Sequence, residues 1–150
     1  MSTVEQNYQR VRERISAACK NASRQPDSVR LLAVSKTKPA SMVRACYEQG
    51  QRAFGENYLQ DGLDKIDALA ELTDIEWHFI GPLQSNKTRP VAEHFQWLET
   101  LDREKIARRL NEQRPDNLPP LNVLIQVNIS DEDQKSGIAT ESVTSFAQTL

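Results

Sequence analysis

The chain has 150 residues, 38% of them hydrophobic and 27% charged, with a formal net charge of −2. That length suggests one domain, and the composition is rich enough in apolar residues to exclude a disordered chain. Basic residues form no long run or basic–aromatic stripe, Cys19 and Cys46 sit in helical patterns, and His78 and His94 are the only histidines; these features argue against nucleic acid, a disulfide framework and structural zinc.

Val4, Tyr8, Val11, Ile15 and Ala18 fall four, three, four and three residues apart, which predicts one apolar stripe on a helix over residues 3–23. Pro26-Asp27 marks the turn out of it. Leu31 to Ser35 then reads as a strand buried on both faces, ending in Lys36, with Lys38 two residues on. Pro39 stops the strand and opens a helix to about Gln49, closed by Gly50. Arg52 to Asn57 is the second expected strand, and Tyr58 to about Leu72 a helix with Leu59, Leu63, Ile66 and Leu69 on one face. Ile75 to Ile80 forms the third strand, closed by Gly81-Pro82, before a helix carrying Val91 and Phe95. Gln96 to Leu101 is a weaker fourth strand, and Asp102 is the expected cap of a helix with Ile106, Ala107 and Leu110. After a break at Pro115 to Pro120, Leu121 to Ile129 gives the strongest strand signal of the chain. An acidic loop, Asp131-Glu132-Asp133, leads to a last helix from Thr140 with Val143, Phe146 and Leu150.

A leading helix followed by five strand–helix units implies an α/β fold with parallel strands and right-handed crossovers. The pattern suits a doubly wound sheet or the opening part of an eight-stranded barrel. Five units fall short of the roughly 250 residues typical of a barrel, and the last helical pattern runs to Leu150 without a stop signal. Residues 1–150 are therefore expected to be a single domain, incomplete at its C-terminal side; an open five-stranded sheet is the alternative.

A lysine at the carboxyl end of a parallel strand stands where α/β folds place their chemistry. Partly desolvated, its amine becomes a nucleophile towards carbonyl compounds. Strand parity places Lys36, Asn57, His78 and Asn128 on one side, each near the carboxyl end of its strand, while Val123, Ile125, Val127 and Ile129 face the helices. Each also has a structural reading: Lys36 snorkelling, Asn57 as a helix cap, His78 as a satisfied core histidine and Asn128 as a strand terminator.

The motifs LLAVSKTKP (31–39), FGENYLQ (54–60), EWHFIGPLQSNK (76–87) and NVLIQVNIS followed by KSGI (122–138) resemble those of the pyridoxal phosphate homeostasis protein family, the YggS type. The resemblance spans essentially the whole chain. It implies a (β/α)8 TIM barrel like the N-terminal domain of alanine racemase, with pyridoxal 5′-phosphate held as an aldimine on Lys36. Asn57 and His78 match polar positions of the cofactor pocket. Lys38 and Lys135 match further lysines that could exchange with or receive the cofactor, and Asn128 is a further contact candidate. The implied role is cytoplasmic vitamin B6 homeostasis without established catalysis, serving apo-enzymes and amino or keto acids rather than nucleic acid or membrane. The phosphate grip and the partner of the pyridine nitrogen would lie in late strands beyond Leu150. An amino-acid racemase-like enzyme is the alternative, and a cofactor-free Schiff-base aldolase a third reading.

Overall fold

The computed structural model describes residues 3–150. Helix α1 spans Val4–Asn21. It starts with a reciprocal cap, in which Gln6 N donates to Thr3 Oγ1 (3.1 Å) and Thr3 N donates to Gln6 Oε1 (3.0 Å). Its stripe is only partly covered: Tyr8 and Cys19 are buried, while Val11 remains exposed. The Tyr8 hydroxyl donates to Gln51 Oε1 (2.9 Å). Gln51 Nε2 in turn donates to the carbonyls of Leu31 (2.7 Å) and Ala53 (2.8 Å), so one buried amide ties α1 to the sheet.

Five strands follow, β1 Ala33–Val34, β2 Ala53–Glu56, β3 Glu76–Phe79, β4 Trp97–Leu101 and β5 Asn122–Ile125, alternating with α2 Ala40–Glu48, α3 Leu59–Ala68, α4 Thr88–His94, α5 Glu104–Gln113 and α6 Val143–Gln148. All neighbouring strands pair in parallel, and the order in the sheet is the order in the chain. A doubly wound sheet reverses its strand order at a switch point. This one never does, so the helices cover one face and the sheet curls as part of a barrel.

The covered face is the core. Val43, Phe54, Trp77, Phe79, Val91, Phe95, Leu98 and Leu110 are buried there, with Phe79 and Phe95 edge to face at 5.4 Å. Each such side chain contributes about 1.5–3 kcal/mol through burial. The other face is open: Val34 is 52% exposed and Leu124 46%. Among the described residues, no helix is long and apolar enough to cross a membrane.

Four expectations change. The first strand is two residues long and its run is not buried on both faces, because Val34 points to the open side of the sheet, which nothing covers among the described residues. The longest strand is β4, not residues 121–129: β5 ends at Ile125 after a register shift against β4, and Val127 then makes only an isolated bridge to Ile138. Helix α3 stops at Ala68, short of Leu72. Asp102 does not cap α5; the cap position is Arg103, without a side-chain bond, and Asp102 Oδ2 accepts from Gly137 N (3.0 Å). Gly137 has φ 110°, and a Cβ there would lie 2.6 Å from Asn128 N, so this loop packs closely enough to require glycine.

Candidate functional site

The open face is built in layers. Val34 pairs with Gly55, Gly55 with His78, His78 with Trp97 and Trp97 with Asn122. A Cβ added to Gly55 would lie 3.2 Å from Ile80 Cδ1 and 3.4 Å from Leu32 Cδ2, so Leu32, Gly55 and Ile80 converge on this face. Lys36 and Asn57 stand two residues further along their segments than the paired Val34 and Gly55, at the carboxyl rim.

Lys36 is exposed in the turn after β1. Its amine has no hydrogen-bond or ion-pair partner among the described residues, and neither has the side chain of half-buried Asn57. The backbone of Asn57 is crowded by Gly81, where a Cβ would come within 2.2 Å of the Asn57 carbonyl oxygen. Only glycine lets the turn after β3 approach so closely.

His78 differs. It lies a layer deeper and is 6% exposed, with Nδ1 2.6 Å from Glu99 Oε1 and Nε2 2.7 Å from Glu76 Oε1. Both contacts are hydrogen bonds only when both ring nitrogens carry hydrogen. The ring stacks on Trp97 at 5.2 Å and 6°. Glu76 also accepts from Arg30 Nη2 (2.8 Å). Burial pushes the Glu76 carboxyl up, but the bonds from Arg30 and His78 outweigh it and hold the group below the usual glutamate range.

Asn128 is engaged by its own loop, donating from Nδ2 to Glu132 O (2.7 Å) and accepting from Glu132 N (3.3 Å). Lys135 pairs with Glu132 at 3.4 Å on the surface, a contact worth about 0–1 kcal/mol. Lys38 lines a cavity of about 400 Å³ along β1 with Tyr8, Val11, Met42, Leu32 and Val34. Of the six residues singled out in the sequence, Lys36 and Asn57 therefore share the rim with unengaged polar ends, whereas the polar ends of His78, Asn128 and Lys135 are already engaged and Lys38 lines the cavity along β1.

Sequence reasoning missed the group behind Lys36. Glu56, fully buried on the helix-facing side of β2, accepts from the Ser35 hydroxyl and from Lys65 Nζ (3.0 and 3.1 Å). Lys65, 4% exposed, also donates to Asp61 Oδ2 (3.0 Å) and to the Ser35 carbonyl (2.6 Å). Asp61 Oδ2 accepts from Thr37 N (3.2 Å). Thr37 has φ 65°, an unfavourable conformation for a β-branched residue. The Lys65 hydrogen bond, aided by the Thr37 amide, holds the Asp61 carboxyl below the usual aspartate range. The signal was legible in part: Glu56 shares the apolar parity of Phe54, and Asp61 and Lys65 are four apart on one helix.

An unpartnered primary amine beside an unpartnered amide, on a rim floored by Leu32 and Ile80, fits the carbonyl end of an aldehyde cofactor. The fold is that of a parallel α/β barrel, with Lys36 just past the end of its first strand. Residues 2–150 match the alanine racemase N-terminal domain family, and the chain belongs to that family. It is 57% identical over 146 residues to the pyridoxal phosphate homeostasis protein of Haemophilus influenzae, covering 97% of this chain and 62% of that protein. The protein of the same description from Escherichia coli K12 is 58% identical over 149 residues, covering 98% of this chain and 64% of the relative. The chain thus spans less than two thirds of the length of these relatives. The structure of PipY from Synechococcus elongatus with PLP bound is 33% identical and superposes with a TM-score of 0.72, over 91% of this chain and 65% of PipY.

Proposed function

We propose that this chain binds pyridoxal 5′-phosphate covalently through Lys36 and belongs to a protein that holds and releases the cofactor for vitamin B6 homeostasis. One observation carries the reading: Lys36 and Asn57 stand together at the carboxyl rim of β1 and β2 with free polar ends. The relatives described as pyridoxal phosphate homeostasis proteins, and PipY with its bound PLP, support the choice of cofactor.

When bound, the cofactor supplies an aldehyde that condenses with a primary amine. Lys36 provides that amine, as the free base, because only the unprotonated form carries the attacking lone pair. Asn57 brings one acceptor and two donor hydrogens beside it. Leu32 and Ile80 give the open face beside the rim an apolar lining. His78 acts from below, fixing β3 against β4 through Glu99 and the Trp97 stack.

A racemase-like activity needs a second acid–base group opposite the lysine. The hydroxyls of Tyr8 and Tyr47 are engaged by Gln51 and Asp74, whereas Tyr58, next to Asn57, is exposed and is the tyrosine a racemase reading would draw on. Apo-enzymes and amino or keto acids are the proposed recipients.

The test is borohydride reduction of the chain with pyridoxal 5′-phosphate, followed by peptide mapping. The adduct is expected on Lys36, absent in Lys36→Ala and retained in Lys38→Ala. Recovery mainly on Lys38 or Lys135 would overturn the assignment. Exchange of the alanine α-hydrogen in deuterated water at a catalytic rate would favour the racemase.

A further inference from the structure

The peptide units on either side of Lys36 are each fixed by a charged side chain from α3. Before Lys36, the Ser35 carbonyl accepts from the Lys65 ammonium at 2.6 Å. After it, the Thr37 amide donates to the Asp61 carboxylate at 3.2 Å. The two clamps are joined to each other, since Lys65 Nζ also donates to Asp61 Oδ2 at 3.0 Å. They are anchored to β2 through Glu56, which accepts from Lys65 and from the Ser35 hydroxyl. None of these side chains reaches the open face: Glu56 and Lys65 are 0% and 4% exposed, on the helix side of the sheet.

A merely structural ion pair would explain Glu56 with Lys65. It does not explain why two charged residues four apart on one face of α3 close on the backbone of one turn, nor why that turn holds Thr37 at φ 65°. A β-branched residue persists in that region only where its surroundings over-determine it, and such positions cluster at functional sites. The left-handed residue directly after Lys36 redirects the chain from the β1 line into α2. Lys38, two residues on, lines a cavity with Tyr8 and Val11 of α1 and with Leu32 and Val34.

We infer that Lys65, Asp61 and Glu56 are positioning residues for Lys36: a relay from α3 and β2 that fixes both flanking peptides of the reactive lysine and so selects Lys36 over Lys38 as the site of cofactor attachment. The inference rests on the reading of Lys36 given above. It extends that reading by assigning the selectivity to residues that do not touch the cofactor.

The test compares the chain with Asp61→Ala, Asp61→Asn and the double variant Glu56→Gln/Lys65→Met. Asp61 is partly exposed, so its variants are expected to fold, and the double variant removes both buried charges together. Each is incubated with pyridoxal 5′-phosphate, reduced with borohydride and mapped for the rate and the Lys36-to-Lys38 ratio of the adduct. Amide hydrogen exchange at Thr37, read without cofactor, reports the clamp itself. In Asp61→Ala the Lys36 rate is expected to fall about tenfold, the factor carried by one hydrogen bond to a charged group, with faster exchange at Thr37 and an adduct ratio shifted towards Lys38. Asp61→Asn keeps an acceptor for Thr37 and should retain the ratio. The double variant should lose it. If the parent chain attaches at Lys36 and Asp61→Ala and the double variant do so equally fast and selectively, the positioning role is refuted while the Lys36 assignment stands. If the parent chain does not attach at Lys36, the assignment fails and the positioning role with it.

Discussion

Lys65→Met isolates the energetic side of this relay. Lys65 is 4% exposed and Glu56 0%, and the ammonium makes four contacts: the Ser35 carbonyl at 2.6 Å, the Glu56 carboxylate at 3.0 and 3.1 Å, and Asp61 at 3.0 Å. Methionine matches the stem but removes every donor. Glu56 would then be a buried carboxylate whose one remaining partner is the Ser35 hydroxyl. Breaking one side of a buried pair costs about 3–5 kcal/mol, because the other charge is left uncompensated. That is a large share of a domain's net stability of about 5–15 kcal/mol. At this chain length it corresponds to a fall in melting temperature of roughly 6–20 °C. Removing both charges, as in Glu56→Gln/Lys65→Met, leaves no orphan and should recover most of the loss. Urea unfolding followed by far-ultraviolet circular dichroism measures both variants, and an unchanged m-value keeps the comparison valid. A loss below about 1 kcal/mol in Lys65→Met, or a double variant as unstable as the single one, would show that Glu56 is not held by Lys65 and refute the reasoning.

The two pocket candidates should separate experimentally. His78→Ala removes the Trp97 stack and leaves Glu76 and Glu99 without their shared donor, so a stability loss of about 2–3 kcal/mol is expected in urea unfolding. Asn57→Ala should stay within about 1 kcal/mol, since no bond to its side chain is lost, yet weaken cofactor binding in an absorbance titration. The reverse pattern would place His78, not Asn57, at the cofactor. Acid should loosen both carboxylate clusters. Asp61 and Glu76 are each held below their ordinary values, Asp61 chiefly by the Lys65 hydrogen bond and Glu76 by bonds from Arg30 and His78 that overcome burial. A carboxyl depressed in the folded state adds stability that is present above its unfolded value, about 4, and is lost as pH falls through its folded value. Melting temperature should therefore hold from neutrality to about pH 5 and fall below about pH 4, less steeply in Asp61→Asn; a melting temperature that rises on acidification would contradict the sign.

What the sequence carried well was periodicity, and what it carried poorly was pairing. The stripes of Leu59, Leu63, Ile66 and Leu69 and the alternation around Phe54 and Phe79 are local, so every helix and strand was legible, with ends misplaced by a few residues. Ala33 and Val34 look like a fully buried strand because apolar composition reports propensity. It does not report whether both faces are covered, and among the described residues the face that carries Val34 is open. Asp102 carried the chemistry of a helix cap but serves Gly137, 35 positions away, a competition no local window can weigh. The site divides along the same line. Lys36 and Asn57 were legible because strand parity alone brings them to one rim, and nothing else competes for them. His78 shared that parity, but its engagement depends on the register between β3 and β4, which sets Trp97 against its ring and brings Glu99 within reach of Nδ1. Glu56 shows the converse. A charge on the helix-facing parity of an otherwise apolar strand needs a buried partner, and the only question left to the structure was which one. That it proved to be the same lysine that binds the Ser35 carbonyl joins the stability of the sheet to the placement of Lys36: the charge that keeps Glu56 tolerable in the core also fixes the peptide in front of it.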